Sequence, residues 1–169
     1  MKILIKSRAD IERMAKNGFH ENTALISITD RGLEFARLEN QPDFLLQVAF
    51  DDVDNDSLVD SFNHIPTGEA LKELEKQYGM MTDEQAIQIA EFYHSCKDKV
   101  NTLICQCEHG QSRSAAVAAA VMEFRSRKGV LIFSHDKYYP NKVVFRKVFE
   151  ALKECCLKTG ELPKESISQ

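Results

Sequence analysis

The chain has 169 residues, 43% of them hydrophobic and 28% charged, and a formal net charge of -4. That length supports one domain with its own buried core, and the composition is ordinary for a soluble globular protein. The acidic balance argues against general nucleic-acid binding, which needs an excess of Lys and Arg to neutralise phosphates.

The opening run Lys2 to Lys6 reads as a short strand. Its apolar centre of three residues is too short for a signal peptide. Ile11 to Lys16 reads as a helix after Asp10, with Gly18 as its stop. Ala24 to Thr29 is a β-branched run closed by Asp30-Arg31-Gly32, and Phe44 to Phe50 is apolar apart from Gln47. Both read as strands, the second entering an acidic cluster that runs from Asp51 to Asp56. The charges from Glu69 to Lys76 fit the wet face of a short helix packed through Leu71 and Leu74.

Thr82 with Gln85 three residues on predicts a capping box. Ala86, Ile89, Ala90, Tyr93 and Cys96 then mark one face of a helix ending near Lys97. Val100 to Cys105 is the next expected strand. Arg113 to about Arg127 is a helix apolar all round in its first half, which places it at the centre of the fold. A last helix runs from Asn141 to Cys156, with Val144, Phe145, Val148, Phe149 and Leu152 facing inward. The tail 161–169 is expected to fray. No apolar run approaches the roughly 20 residues of a spanning helix, so no membrane segment is expected. Strands alternating with helices predict an α/β fold with a central, mostly parallel sheet flanked by helices. Ligands of such sheets bind beyond the carboxyl ends of the strands.

The stretch Cys105-Gln106-Cys107-Glu108-His109-Gly110-Gln111-Ser112-Arg113-Ser114 lies where a strand would hand over to a helix. A helix N-terminus points free N–H groups, and the positive end of its dipole, at such a loop. A cysteine there is favoured as thiolate, and an oxyanion there is bound. The backbone N–H groups of Glu108, His109, Gly110, Gln111, Ser112 and Arg113 can encircle phosphoryl oxygens. Gly110 supplies the backbone freedom for the tight curve, Arg113 can grip two oxygens bidentately, and Ser114 can donate its hydroxyl to sulfur. The five cysteines (Cys96, Cys105, Cys107, Cys155, Cys156) form no disulfide framework, which suits free thiols in a reducing cytoplasm.

The pattern Cys-(five residues)-Arg-Ser resembles the signature loop of the cysteine-dependent protein tyrosine phosphatase superfamily. The segment from Phe44 to Phe149 is similar to its small dual-specificity branch, where an aspartate loop precedes the cysteine loop and a Pro-Asn pair such as Pro140-Asn141 opens the last helix. The resemblance implies a single phosphatase-like catalytic domain over residues 1–160. It implies Cys107 as nucleophile, Arg113 as phosphate clamp, and Ser114 as the hydroxyl assisting thiolate departure. It implies an upstream aspartate as general acid, with Asp52 first, Asp51 next and Asp54 third. It implies no metal and no organic cofactor. Two departures stand out: Gln106 replaces the usual histidine before the nucleophile, and the interval from Asp52 to Cys107 is long, which suggests an insertion over Ser57 to Met81 folded over or beside the site.

The expected function is therefore hydrolysis of phosphomonoesters, phosphotyrosine and also phosphoserine or phosphothreonine, through a phosphocysteine. The loop carries no lysine, which favours a phosphorylated protein or a small phosphomonoester over polyanionic inositol phosphates. Two other readings stay open: a catalytically weak phosphate-binding module, and a thiol redox protein using Cys105 or a distant cysteine as resolving partner. A metal site at Cys105, Cys107 and His109 fits none of the common zinc spacings.

Overall fold

Four strands and six helices make up the computed structural model, which describes residues 1–54 and 67–159. In chain order they are β1 (Lys2–Ser7), α1 (Arg8–Asn17), β2 (Thr23–Thr29), β3 (Phe44–Ala49), α2 (Glu69–Tyr78), α3 (Asp83–Cys96), β4 (Thr102–Cys107), α4 (Arg113–Ser126), α5 (Val130–Phe133) and α6 (Lys142–Thr159). The strands form one sheet in the order β1-β4-β2-β3, and every pairing is parallel. The expected α/β architecture is therefore observed.

Alternation along the strands divides the core in two. Ala24, Ile26, Ile28, Leu103 and Cys105 face α3, α4 and α6, joining Ile89, Tyr93, Val144, Val148 and Leu152 in the larger cluster. Leu25 and Ile104 face the other way, onto Ile11 of α1. Interior β2 is buried along its whole length, as a parallel strand covered on both faces must be. Helix α4 is buried from Arg113 to Val121, its alanines giving it close approach to β4.

Several element ends depart from the sequence reading for visible reasons. Strand β4 spans Thr102–Cys107 rather than 100–105, because its ladder with β1 continues until Ser7 faces Cys107. Val100 belongs to the preceding turn, where its N–H donates to Cys96 O at 3.1 Å. Helix α1 begins at Arg8, since Ser7 supplies the cap by accepting from Asp10 N. Asn141 is the cap of α6, its Oδ1 accepting from Val143 N and Val144 N, and the helix extends past Cys156 to Thr159. The capping box of α3 has both of its bonds. Short α5 had no expected counterpart.

The charges of α2 are not all on a wet face: Glu75 is buried and pairs with Lys147 of α6 at 2.8 Å, which also holds Asp83 at 2.6 Å. The part of the Ser57–Met81 insertion within the described residues packs beside the segment after β3, Asp51 N donating to Gly79 O at 2.7 Å. Residues 57–66 and the tail 161–169 lie outside the described residues. No helix among the described residues is long and apolar enough to cross a membrane.

Candidate active site

Because all strands are parallel, their carboxyl ends share one edge, and the candidate residues collect there. Strand β4 ends on Cys107, five loop residues follow, and α4 starts at Arg113. Gly110 makes the curve possible on two counts. Its φ is +68°, and a Cβ there would lie 2.7 Å from Lys6 C and Ser7 N. The loop is tied down from both sides: Glu108 O accepts from Arg8 N at 3.1 Å and Gln111 O from Tyr139 N at 3.0 Å. Arg8 also donates from Nε to Glu108 Oε2 at 2.6 Å, and from Nη2 to Thr29 Oγ1. His109 and Gln111 are exposed, and Ser112 is half-buried.

Cys107 is buried, with Sγ 3.0 Å from Ser114 Oγ. Ser112, the residue before α4, forms no side-chain cap bond to the helix, so its side chain does not quench the positive N-terminus. Arg113 lies in that first turn with its side chain only 4% exposed. Its Nη1 donates to Phe50 O at 2.7 Å and pairs with Asp30 Oδ1 at 2.8 Å. Its Nε has no hydrogen-bond partner among the described residues, and Asp52 Oδ2 stands 3.8 Å away. A buried guanidinium N–H without an acceptor is costly, and an oxyanion in the loop would supply one.

Asp52 faces this loop. Its Oδ1 accepts from Ser112 Oγ at 2.7 Å and from Asn141 Nδ2 at 3.0 Å. Asp51 turns aside, its two carboxylate oxygens accepting from Arg31 N at 2.8 Å and Arg31 Nε at 3.0 Å. Asp54 follows Val53, whose carbonyl accepts from Asn141 Nδ2, and ends the described segment. Asp52 is thus bonded to the cysteine loop through Ser112, while Asp51 is held by Arg31.

Gln106 lies on the opposite face of β4 from Cys107. Buried between strands, it accepts from Ser27 Oγ at 2.7 Å, and its Nε2 has no partner among the described residues. Cys105 shares the face of Cys107, and burial first, then the neighbouring Cys107, pushes its thiol pKa up. A resolving thiolate at Cys105 is thereby disfavoured, which weakens the redox reading in its Cys105 form.

Three residues of this edge escaped the sequence reading. Asp30 looked like part of a turn, and Asn141 looked like a helix opener only. Arg8 carried no motif. The available signal was the rule that strand ends converge in a parallel sheet, but it needs the order of β4, β2 and β3, which the sequence does not display.

No protein-family model and no curated protein sequence matches the chain. Among solved structures it is similar to a mouse putative dual specificity phosphatase complexed with zinc tungstate, at 17% identity and TM-score 0.46, covering 96% of this chain and 89% of that one. It is similar to human DUSP28 at 15% identity and TM-score 0.47, covering 92% and 94%. It is similar to PTPMT1 at 13% identity and TM-score 0.48, covering 95% and 96%. At this level the likeness concerns the fold alone.

Proposed function

We propose that the chain is a cysteine-dependent phosphatase hydrolysing phosphomonoesters through a phosphocysteine intermediate. The observation that carries this reading is the buried Nε of Arg113, which has no hydrogen-bond partner among the described residues and stands 3.8 Å from the Asp52 carboxylate at the start of α4. Phosphoryl oxygens take the loop N–H groups and Arg113 as donors. The Cys107 thiolate attacks phosphorus, forming the S–P bond as the ester O–P bond breaks. Asp52, protonated at that moment, gives its proton to the leaving oxygen. As carboxylate it then takes a proton from the water that attacks phosphorus. The P–S bond breaks, the electron pair returns to sulfur, and the Ser114 hydroxyl 3.0 Å away donates to the thiolate. Inorganic phosphate is released, and no metal or organic cofactor enters a step.

The substrate class is a phosphorylated protein side chain, phosphotyrosine with phosphoserine and phosphothreonine, or a small phosphomonoester. The loop side chains Glu108, His109, Gln111 and Ser112 bring no cation for a second phosphate.

The test is turnover of a synthetic aryl phosphate in the presence of a chelator. Wild type turns over and Cys107→Ser does not, while inorganic phosphate still protects the variant against thermal unfolding. Phosphate binding by wild type without turnover would identify a binding module instead. Loss of turnover on chelation would contradict the metal-free mechanism.

A further inference from the structure

The turn after β2 contains a residue that the catalytic steps leave unused, yet it ties the residue before the acid to the end of α2. Arg31 makes four hydrogen bonds to three places. Its backbone N–H and Nε donate to the two oxygens of Asp51 at 2.8 and 3.0 Å. Its Nη1 donates to Lys76 O at 2.8 Å and its Nη2 to Gln77 O at 3.3 Å, both near the C-terminus of α2. A cation is favoured there, since the helix dipole is negative at that end. Close by, Asp51 N donates to Gly79 O at 2.7 Å. Gly79 has φ +67°, and a Cβ there would run into Arg31 Nε and Asp51 Oδ2. The backbone has been shaped to admit the guanidinium.

An exposed ion pair by itself contributes little, and Arg31 and Asp51 side chains are 46% and 30% exposed. The bonds are instead informative as a positional device. Asp51 immediately precedes Asp52, so fixing the Asp51 carboxylate and its N–H fixes the direction in which the next side chain leaves the backbone. That direction brings Asp52 Oδ1 to Ser112 Oγ and Asn141 Nδ2.

We infer that Arg31 is a positioning residue for proton transfer: it latches Asp51 to the end of α2 and so holds the Asp52 carboxyl over the phosphate loop before substrate arrives. The inference rests on the reading of Asp52 as the acid. It explains why two adjacent aspartates have different tasks, one structural and one chemical. It also predicts a defect that varies with the leaving group, because the acid matters most when the departing oxygen is basic.

The experiment measures kcat/KM, which reports steps up to leaving-group departure, for p-nitrophenyl phosphate and for an alkyl phosphate. Arg31→Met should lower the value about tenfold or more for the alkyl ester and less than about threefold for the nitrophenyl ester. Inhibition by inorganic phosphate should stay within about twofold of wild type, since Arg113 is untouched. In an Asp52→Asn background, Arg31→Met should have no further effect on the alkyl ester. Asp51→Asn keeps the shape of the side chain and serves as the second variant, read in the same way. A uniform loss across both esters, or additivity with Asp52→Asn, overturns the latch. A flat leaving-group profile for Asp52→Asn itself overturns the acid assignment and the latch with it. A steep Asp52→Asn profile beside flat profiles for Arg31→Met and Asp51→Asn overturns the latch alone.

Discussion

Arg113 Nη1 donates to Phe50 O and pairs with Asp30, while its Nε has no hydrogen-bond partner among the described residues. Asp30 thus anchors the Nη1 end of the guanidinium. Its removal has two opposed effects: it deletes a negative charge near a bound anion, and it frees Arg113 to swing toward Asp52. The second should dominate turnover, because a misplaced clamp costs about a hundredfold per ångström in favourable cases. Asp30→Ala is expected to lower kcat/KM on an aryl phosphate about tenfold or more, with Asp30→Asn less affected because it keeps an acceptor. Unchanged kinetics in steady-state assays would refute this role. At this scale the sequence was most legible where partners are neighbours in the chain. Cys107, Arg113 and Ser114 are joined by one loop and one helical turn, and the sequence expectation that the Ser114 hydroxyl can reach sulfur agrees with the 3.0 Å contact. Asp52 could not be separated from Asp51 and Asp54 in the same manner. The separating fact is Arg31, distant in sequence and adjacent only because β2 and β3 pair.

Elements were predicted best when their signals were local and redundant. The Thr82–Gln85 box fixed the start of α3, and the alanine-rich run fixed α4 as a central helix. Ends set by tertiary pairing were misplaced, as with β4, whose last two residues are held by β1. Glu75 was assigned to solvent because its partner, Lys147, lies on α6. The packing of α3 against α4 makes a pH prediction. Tyr93 is buried, its ring edge-on to Phe124 at 6.1 Å, and burial pushes its phenol pKa up to about 12, with nearby Arg125 pulling weakly the other way. The folded value lies above the unfolded value of about 10. Stability associated with the neutral phenol is therefore intact below pH about 10 and is lost as pH rises from there through the folded value. Burial raises Cys96 and Cys105 in the same direction, so Tyr93 carries part of the effect. Between pH about 10 and 12, denaturant unfolding should show Tyr93→Phe losing stability less steeply than wild type. Equal slopes would contradict the assignment.

Across the whole molecule the site is a product of topology. Four parallel strands bring Ser7, Asp30, Phe50 and Cys107 to one edge, and the cap of α6 adds Asn141 beneath Asp52. The α/β class was readable from the alternation of strands and helices. The strand order was not, because parallel neighbours are joined by long connections that leave no local trace. The central claim concerns a covalent step at this edge, and trapping that step tests it most directly. Wild type and Asp52→Asn protein, mixed with an aryl phosphate and quenched in acid within the first turnover, should carry one phosphoryl group on the peptide containing Cys107, located by mass spectrometry. Asp52→Asn should hold more of it, since the variant lacks the carboxylate that activates water. Cys107→Ser should carry none. A phosphoryl group on another residue, or continued turnover by Cys107→Ser, would contradict the phosphocysteine mechanism.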